Sequence, residues 1–230
     1  MNSKIKFSLV ISLLLGLMVS FSTLAKQELP QVTEEGLHLL QDTDLAVVYA
    51  KPGVDLGVYN RILLLDATVA FKKNWQRDQN RSYSHKVNAR DMDRIRTRLA
   101  ELFREVFTEK LSAAGYELAG ETADDVLIVR PAIINLDVLA PDVRTTARSY
   151  QLTQSAGEMS LYLELYDSVT SDLLGKAFDH KRDRVSGFMT WQTRGANKVA
   201  ASRALNGWAD VLVAALNNAR GAISGEAESE

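Results

Sequence analysis

Hydrophobic residues repeat with two different periods along this chain, and the contrast limits which folds are open to it. Between Met159 and Leu165 they occupy every second position, with polar residues between them. Between Met92 and Phe107 they recur three and four residues apart. The first spacing predicts a strand with one buried face, and the second predicts an amphipathic helix. A chain that contains both predicts an α+β fold.

The segment from Tyr59 to Phe71 is the first long predicted strand, because its apolar residues alternate. The face that they share would bury Leu63, Leu65, Ala67, Val69 and Phe71. A shorter strand is expected at Leu45–Tyr49, ended by the turn residues Lys51–Gly53.

The segment from Asp125 to Leu139 is rich in Val, Ile and Leu at both alternating positions, which is typical of a central strand. Proline cannot donate a backbone hydrogen bond, so we expect a bulge or break at Pro131. Glu158–Asp167 and Leu173–Arg182 flank a short turn. They therefore predict an antiparallel hairpin.

Two amphipathic helices complete the pattern. The first is capped by Asn88, has Asp91 and Asp93 in its first turn, and ends at Gly115. The second covers Asn197–Ala219, with a predicted buried stripe of Val199, Leu205, Trp208, Leu212, Ala215 and Leu216. The order β-α-β-β-β-α predicts a two-layer α+β fold, with a mixed or antiparallel β-sheet and two long amphipathic helices packed on one face.

The first 25 residues have the pattern of a secretory signal peptide. Lys4 and Lys6 precede the apolar run Phe7–Phe21, and Thr23 and Ala25 stand at the −3 and −1 positions. The run is shorter than the roughly 20 residues that span a bilayer. We expect cleavage after Ala25 and a periplasmic location, with an uncleaved N-terminal anchor as the alternative.

After the signal peptide we expect three segments. They are a lead-in at 26–57, a single α+β globular domain at 58–220 and a disordered acidic tail at 221–230.

Composition narrows the classes of function and partner that remain. The chain has no Cys, which excludes disulfides, thiolate chemistry and a lipid anchor on a cysteine. Its net charge of −2 gives no reason to expect a nucleic-acid partner. No later segment is apolar enough to predict a transmembrane helix.

Four stretches together resemble a known family. They are Tyr49–Leu56, Val69–Trp75, Gly115–Leu118 and the segment from Ala156 to Ser168. The set resembles DUF3313, a bacterial envelope family catalogued as a domain of unknown function, whose members are often lipoproteins. The resemblance covers nearly all of the mature chain and implies an envelope location. It supplies no catalytic residues, and this chain departs from the lipoprotein pattern because no cysteine follows its signal.

Residues that could carry catalysis are scattered. His38, His85 and His180 are isolated in sequence, and no phosphate-binding glycine loop or hydrolase elbow is present. Glu158 and Glu164 share a strand face but would lie roughly 20 Å apart, too far for a glycosidase pair. We therefore expect no enzymatic activity, no cofactor and no metal. An enzyme that acts on cell-wall or lipid substrates is the alternative.

A basic segment is the first candidate for partner binding. From Lys72 to Glu105 the chain has ten Lys or Arg against five Asp or Glu, a local excess of +5. Trp75, Arg77, Arg81 and Tyr83 lie within it, so the segment could bind an anionic partner such as a lipid headgroup, a wall polymer or an acidic protein. The alternative is a solvated helix face with internal charge pairs.

Two aromatic groups are further candidates. Phe188 and Trp191 follow Gly187 in a predicted loop, where they could form an adaptable contact or tuck under the next helix. Tyr162 and Tyr166 flank Glu164 on one strand face, which could recognise a sugar or peptide or be an ordinary half-exposed face.

These observations predict an exported bacterial envelope protein that works as a non-catalytic binding or accessory module. Its expected partner is an envelope protein or an anionic envelope component. Candidate contact residues are Trp75, Arg77, Arg81, Tyr83, Phe188 and Trp191.

Overall fold

The computed structural model describes residues 29–82, 86–138, 151–153, 157–182, 190–192 and 194–227. The chain divides into two compact units, residues 1–30 and residues 31–230, and the fold described below is that of the second. Its elements, in chain order, are β1 (His38–Leu39), β2 (Val47–Ala50), a 3-10 turn (Leu56–Val58), β3 (Arg61–Leu64), β4 (Thr68–Phe71), α1 (Trp75–Ser82), α2 (Ala89–Ala113), β5 (Glu117–Leu118), β6 (Val126–Val138), β7 (Gln151–Thr153), β8 (Gly157–Asp167), β9 (Leu173–Arg182), β10 (Thr190–Gln192) and α3 (Arg194–Ala227).

Within the described residues, eight strands form one mixed sheet in the order β1-β2-β9-β8-β6-β3-β5, with β4 also paired to β6. The β8–β9 pair is antiparallel, as expected for the predicted hairpin, and so are the pairs β6–β8 and β2–β9. Strands β3 and β4 both run parallel to β6. The predicted α+β class with a mixed sheet is therefore confirmed.

The hydrophobic core lies between the sheet and the helices α2 and α3. From the sheet it includes Ile62, Leu64, Val129, Ile133, Leu161 and Leu163, and from the helices Leu99, Leu102, Phe103, Val106, Phe107, Leu205, Trp208, Leu212 and Leu216. The predicted stripe of α2 is thus largely confirmed. In α3 two of the six predicted positions are wrong, because Val199 is 57% exposed and Ala215 also faces solvent.

Helix α2 begins and ends where the sequence predicts. The Asn88 side chain accepts a hydrogen bond from the Asp91 backbone, and the Asp91 side chain accepts one from the Asn88 backbone. This reciprocal pair is a capping box, which satisfies two helix-terminal N–H groups. At the other end Gly115 has φ +85°, a left-handed conformation that glycine adopts without strain.

Strand β6 is central, as predicted, but its irregularity is not at Pro131. The register shifts between Ile134 and Asp137 instead, and Asn135 there has φ +54°. The backbone N–H of Leu65 donates to the carbonyl of Val129, so the backbone polar groups of Val129 point towards β3 and β4. Pro131 lies two residues further along the strand, so its backbone points to the same side. On that side β3 has ended and β4 has not begun. Pro131 therefore interrupts no ladder hydrogen bond.

The segment 59–71 forms two strands rather than one, and two of its five predicted buried positions, Leu63 and Leu65, are wrong. Ile62 and Leu64 are buried in β3, whereas Leu65 is exposed. In β4 the predicted phase is correct, since Val69 is buried. The break at 65–67 shifts the alternation by one residue, which turns every side chain of β3 to the opposite face.

Helix α3 continues to Ala227, through residues 221–227 that we expected to form a disordered tail. No proline interrupts this stretch, and Ala and Glu favour helix propagation once a long helix has formed. Segments predicted as loops also contain short strands. Trp191 of β10 pairs with Leu152 of β7 in a separate two-stranded sheet.

Candidate functional site

Helices α2 and α3 run in the same direction along the sheet. Lys110 of α2 forms an ion pair with Asp210 of α3 at 2.7 Å, and about two turns further along α3 Asn217 accepts a hydrogen bond from Tyr116, just after the end of α2. Towards their N-terminal ends the two helices are separated by a groove of about 620 Å³. Its lining comes from α2, α3 and the ends of β6, β8 and β9.

The groove exists because α3 presents small side chains along this part of its length. Ala200, Ala201, Ala204 and Gly207 line it, at spacings that place them on one helix face. Opposite them, the floor and the α2 wall consist of larger apolar side chains: Ile95, Leu99, Leu102, Leu136 and Met159. The Ala and Gly side chains cannot reach across to this wall, so the space between the helices stays open.

Charged residues surround this apolar floor. Arg98, Lys181, Arg182, Lys198 and Arg203 are the cations of the lining, and Glu101, Glu105, Asp137 and Glu158 are its acids. The groove therefore combines an apolar interior with a polar rim, which is the usual composition of small-molecule sites.

An ion-pair network joins the strand ends beside the groove, on the face of the sheet that points away from the helices. The Lys72 Nζ lies 3.0 Å from a carboxylate oxygen of Glu158 and 3.2 Å from one of Asp137. The Arg182 Nε donates to Glu158 at 2.9 Å. These hydrogen bonds, first that of Lys72 and then that of Arg182, lower the pKa of Glu158. Glu158 is thus ionised, and each of the two acids is paired with a cation.

A buried carboxylate ties the sheet to α3 beside the groove. Asp179 of β9 accepts a hydrogen bond from the Trp208 indole at 2.7 Å and another from the Ala46 backbone at 3.2 Å. Burial raises its pKa, but the hydrogen bonds from Trp208 and Lys181 outweigh burial and lower it overall. Asp179 therefore stays charged and fixes the position of Trp208.

On the opposite face of the sheet, a second cluster surrounds Glu164, which is only 7% exposed. Tyr162 and Tyr166 each donate a hydroxyl hydrogen bond to one of its two oxygens, at 2.8 and 2.9 Å, and Arg130 lies 3.3 Å away. Burial and the hydrogen bond to Glu164 raise the pKa of Tyr162 well above its ordinary value. The hydroxyl groups are thus engaged with Glu164, as in a self-contained structural network.

A serine, a histidine and a carboxylate also come together on this face. The Ser160 Oγ lies 3.1 Å from His180 Nδ1, and His180 Nε2 lies 3.7 Å from Glu158. Ser160 is only 1% exposed, however, and Glu158 is already bound by Lys72 and Arg182. This arrangement cannot present a nucleophile to a substrate, because the Ser160 hydroxyl is covered.

The residues predicted from the basic segment differ in their exposure to solvent. Trp75 is 3% exposed, stacks on Phe71 at 4.3 Å between ring centres and donates to the Val138 carbonyl. It packs inside the protein and cannot form the exposed contact that we expected. Arg77 and Arg81 are exposed, and Arg77 pairs with Asp78 at 3.1 Å.

The other predicted contact residues are not placed by the structure. Tyr83 and Phe188 lie outside the described residues, and for Trp191 only the backbone of β10 is described. Among the three predicted residues whose side chains are described, Trp75 is buried while Arg77 and Arg81 are exposed.

Five of the ten cations of the basic segment, Arg77 among them, are seen in ion pairs with acids. Lys72 binds Glu158 and Asp137, and on α2 Arg94 pairs with Asp91 at 2.9 Å. In the same segment Arg96 pairs with Asp93 and Arg104 with Asp66. These contacts agree with the alternative interpretation, a solvated helix face with internal charge pairs.

We did not predict the groove from the sequence. Its signal is the run of small residues in the N-terminal half of α3, opposite Leu99 and Leu102 of α2. That signal has meaning only when the partner helix and its direction are known.

Among the described residues no group of His, Cys, Asp and Glu has the geometry to hold a metal ion. Nor does the described part of the chain contain a helix long and apolar enough to cross a membrane.

Comparison with known proteins gives one family. The model of a family described as "Protein of unknown function (DUF3313)" matches residues 37–212. No curated protein matches the chain.

Solved structures with a related backbone come from several bacteria. A Xanthomonas campestris protein of family model DUF330 is 12% identical, with a TM-score of 0.41, over 78% of this chain and 93% of its own. The PelC dodecamer of Paraburkholderia phytofirmans is 8% identical, with a TM-score of 0.33, over 69% and 96%. A minor lipoprotein of Acinetobacter baumannii is 10% identical, with a TM-score of 0.32, over 68% and 94%. Likenesses of this size carry no information on ligand or partner.

Proposed function

We propose that this chain, which belongs to the DUF3313 family of proteins of unknown function, is an exported, non-catalytic binding module of the bacterial cell envelope. Its ligand site is the groove between α2, α3 and the sheet, and the ligand is apolar over most of its length. The family brings no activity with it, so the proposal rests on the groove itself.

The single observation that carries the proposal is a groove of about 620 Å³ with an apolar floor. This volume lies within the range of roughly 300–1,000 Å³ that is typical of small-molecule sites. A helix pair with open space between apolar walls loses packing contacts, a cost that a bound apolar ligand would offset. Two of the four acids of the lining, Asp137 and Glu158, are engaged in ion pairs, which supports a binding role over a catalytic one.

Blocking the groove tests this function. N-phenyl-1-naphthylamine, a neutral fluorescent probe of apolar sites, should bind the purified chain saturably and become brighter. Ala204→Trp places an indole in the groove and should abolish that binding. The matched control is Ala214→Trp, because Ala214 lies exposed elsewhere on the same helix. Circular dichroism checks that both variants fold. Saturable binding that survives in Ala204→Trp, or no binding by the unmodified chain, contradicts the proposal.

Export has a separate test. If the predicted signal peptide is cleaved after Ala25, intact-mass measurement of the protein from the periplasm of the expressing bacterium should give a chain that starts at Lys26. Recovery only from the cytoplasm contradicts an envelope role, whereas retention of Met1 contradicts cleavage after Ala25 and favours the uncleaved anchor.

A further inference from the structure

We infer that the chain binds the surface of an anionic lipid bilayer through the outer face of α1, by charge alone. This surface is separate from the groove, so the inference does not depend on the proposed ligand site. It consists of five exposed cations, which we call the α1 basic patch: Lys73, Arg77, Arg81, Lys86 and Arg90.

Helix α1 has a buried face and, opposite to it, a basic face. Trp75 and Gln79 are four residues apart and are 3% and 7% exposed. Arg77 and Arg81 are also four residues apart and lie roughly half a turn around the helix from that pair, so they face solvent. The aromatic ring that the sequence suggested as part of the contact is therefore turned inward, whereas the cations are turned outward.

Side-chain hydrogen bonds hold the segment before α2 against α1. Gln76 and Asn80 each donate to the Val87 carbonyl at 3.0 Å, and the Val87 N–H donates to the Asn80 side chain at 2.6 Å. The Lys86 ammonium donates to the Asn80 carbonyl. Lys86 therefore extends the basic face beyond the last turn of α1, and Arg90 follows four residues later in the first turn of α2.

Few acids balance the α1 basic patch. Among the described residues, Lys73, Arg81 and Arg90 have no acidic partner. Arg77 pairs with Asp78, but both side chains are more than half exposed, and such a pair is weak. Like charges one turn apart, such as Arg77 and Arg81, destabilise an isolated helix. An anionic partner would remove that cost.

The described part of the patch lacks the apolar centre of a protein interface. Protein interfaces have a core of aromatic and apolar side chains, and Lys is depleted in them. The exposed large apolar side chains of the described residues all lie outside 73–90, and Trp75 is buried. Clusters of Lys and Arg are attracted to anionic phospholipid, whose dense surface charge requires no fixed contact geometry. An anionic bilayer therefore fits the patch better than an acidic protein does.

Vesicle sedimentation tests the inference. The chain purified from the periplasm is mixed with vesicles of phosphatidylglycerol and phosphatidylcholine, or of phosphatidylcholine alone. We expect saturable binding to the anionic vesicles only, and its loss in about 1 M NaCl, where the Debye length is about 3 Å. Equal binding to both kinds of vesicle, or none to the anionic ones, overturns the inference. If soluble polyglutamate binds where the anionic vesicles do not, the patch serves an acidic protein surface instead. The groove proposal is unaffected by either failure, because its own test uses a neutral probe.

The far end of the sheet supplies a matched control for a charge removed from the patch. Trp75 of α1 donates to the carbonyl of Val138, which pairs with the first residue of β8. Lys51 instead binds Asp172, in the turn that follows the last residue of β8. The two ends of β8 are roughly 30 Å apart. Lys51→Gln therefore removes the same charge as Arg81→Gln, but far from the patch.

Arg81→Gln should weaken binding to the anionic vesicles about fivefold, the share of one cation near an anionic surface. Glutamine favours helix as arginine does, so α1 should persist, and circular dichroism checks the fold. Lys51→Gln should leave the binding almost unchanged. Equal losses in the two variants would mean that net charge attracts the vesicles, and no loss in Arg81→Gln would mean that α1 does not face them. Each of these results overturns the inference.

Discussion

The same two helices, α2 and α3, meet in two different ways along their length. From Trp208 onward, in what we call the packed half, Trp208, Leu212 and Leu216 of α3 join the core that contains Phe103, Phe107 and Leu111 of α2, and all of these side chains are buried. In their N-terminal halves Ala200, Ala201, Ala204 and Gly207 face Leu99 and Leu102 across the groove. One half is packed and the other is open, although both lie on the same sheet.

The difference shows that side-chain size on one helix decides where this fold keeps empty space. The apolar wall of α2 continues along both halves, so the wall alone does not produce the groove. Leu and Trp fill the space where α3 supplies them, and Ala and Gly leave it open. A protein that needed only stability would gain by filling both halves, since unfilled apolar space costs packing energy.

The largest effect is expected from emptying the packed half. Trp208→Ala removes a side chain that is 1% exposed and leaves Asp179 without its indole donor. Removal of a buried Trp typically lowers the free energy of unfolding by about 3–5 kcal/mol. Urea denaturation measures it. Val199→Ala, at an exposed position of the same helix, should change it by less than about 0.5 kcal/mol. Similar losses in the two variants would contradict the contrast between the halves.

A matched pair of enlargements compares the two halves directly. Ala209 is 1% exposed in the packed half, so Ala209→Leu should cost about 1–3 kcal/mol by overpacking. Ala204→Leu adds the same atoms to the open half and should cost less than about 0.5 kcal/mol, because the groove has room for them. Thermal unfolding monitored by circular dichroism gives both values. If Ala204→Leu is as costly as Ala209→Leu, the groove is not open space.

A polar contact anchors the boundary between the halves. Asp179→Ala leaves the Trp208 indole N–H and the Ala46 N–H without their acceptor. An unsatisfied buried donor costs about 1–3 kcal/mol. Urea titration should show this loss, whereas Asp172→Ala, which removes an exposed ion pair with Lys51, should cost at most about 1 kcal/mol. Equal losses for the two variants would show that Asp179 does not hold Trp208 in place.

Acid should loosen the open half through Glu158. Its pKa in the folded protein lies below the ordinary 4.5, so its contribution to stability is present above that value. The contribution is lost as the pH falls through the lowered pKa of the folded state. Thermal unfolding midpoints measured from pH 7 to pH 3 should therefore fall less steeply for Glu158→Gln than for the unmodified chain. Parallel curves for the two proteins would contradict a stabilising role of this network.

The parts of the fold that local chemistry determines could be predicted from the sequence. Asn88 and Gly115 mark the ends of α2, because a cap depends on neighbours a few residues away. The β8–β9 hairpin follows from alternation on both sides of a short turn. Strand phase in the segment 59–71 could not be predicted throughout, because the break at 65–67 resets it.

Features that depend on distant contacts were beyond prediction. Trp75 lies among basic residues, which suggested an exposed ring, yet it is buried because Val138, far along the chain, supplies a carbonyl acceptor. Ala204 and Gly207 define a groove only once α2 is known to run parallel to α3. The cluster around Glu164 could be predicted as one strand face, but the approach of Arg130 from β6 could not.

The central place of β6 determines how this protein must fold. The hairpin β8–β9 connects neighbouring segments and can form early, on the microsecond scale that is usual for hairpins. The parallel pairing of Arg61 with Val126 instead closes a long stretch of chain that includes all of α1 and α2. Pairing of such high contact order is slow. The docking of β3 on β6 should therefore limit the rate at which the unfolded chain reaches its native state.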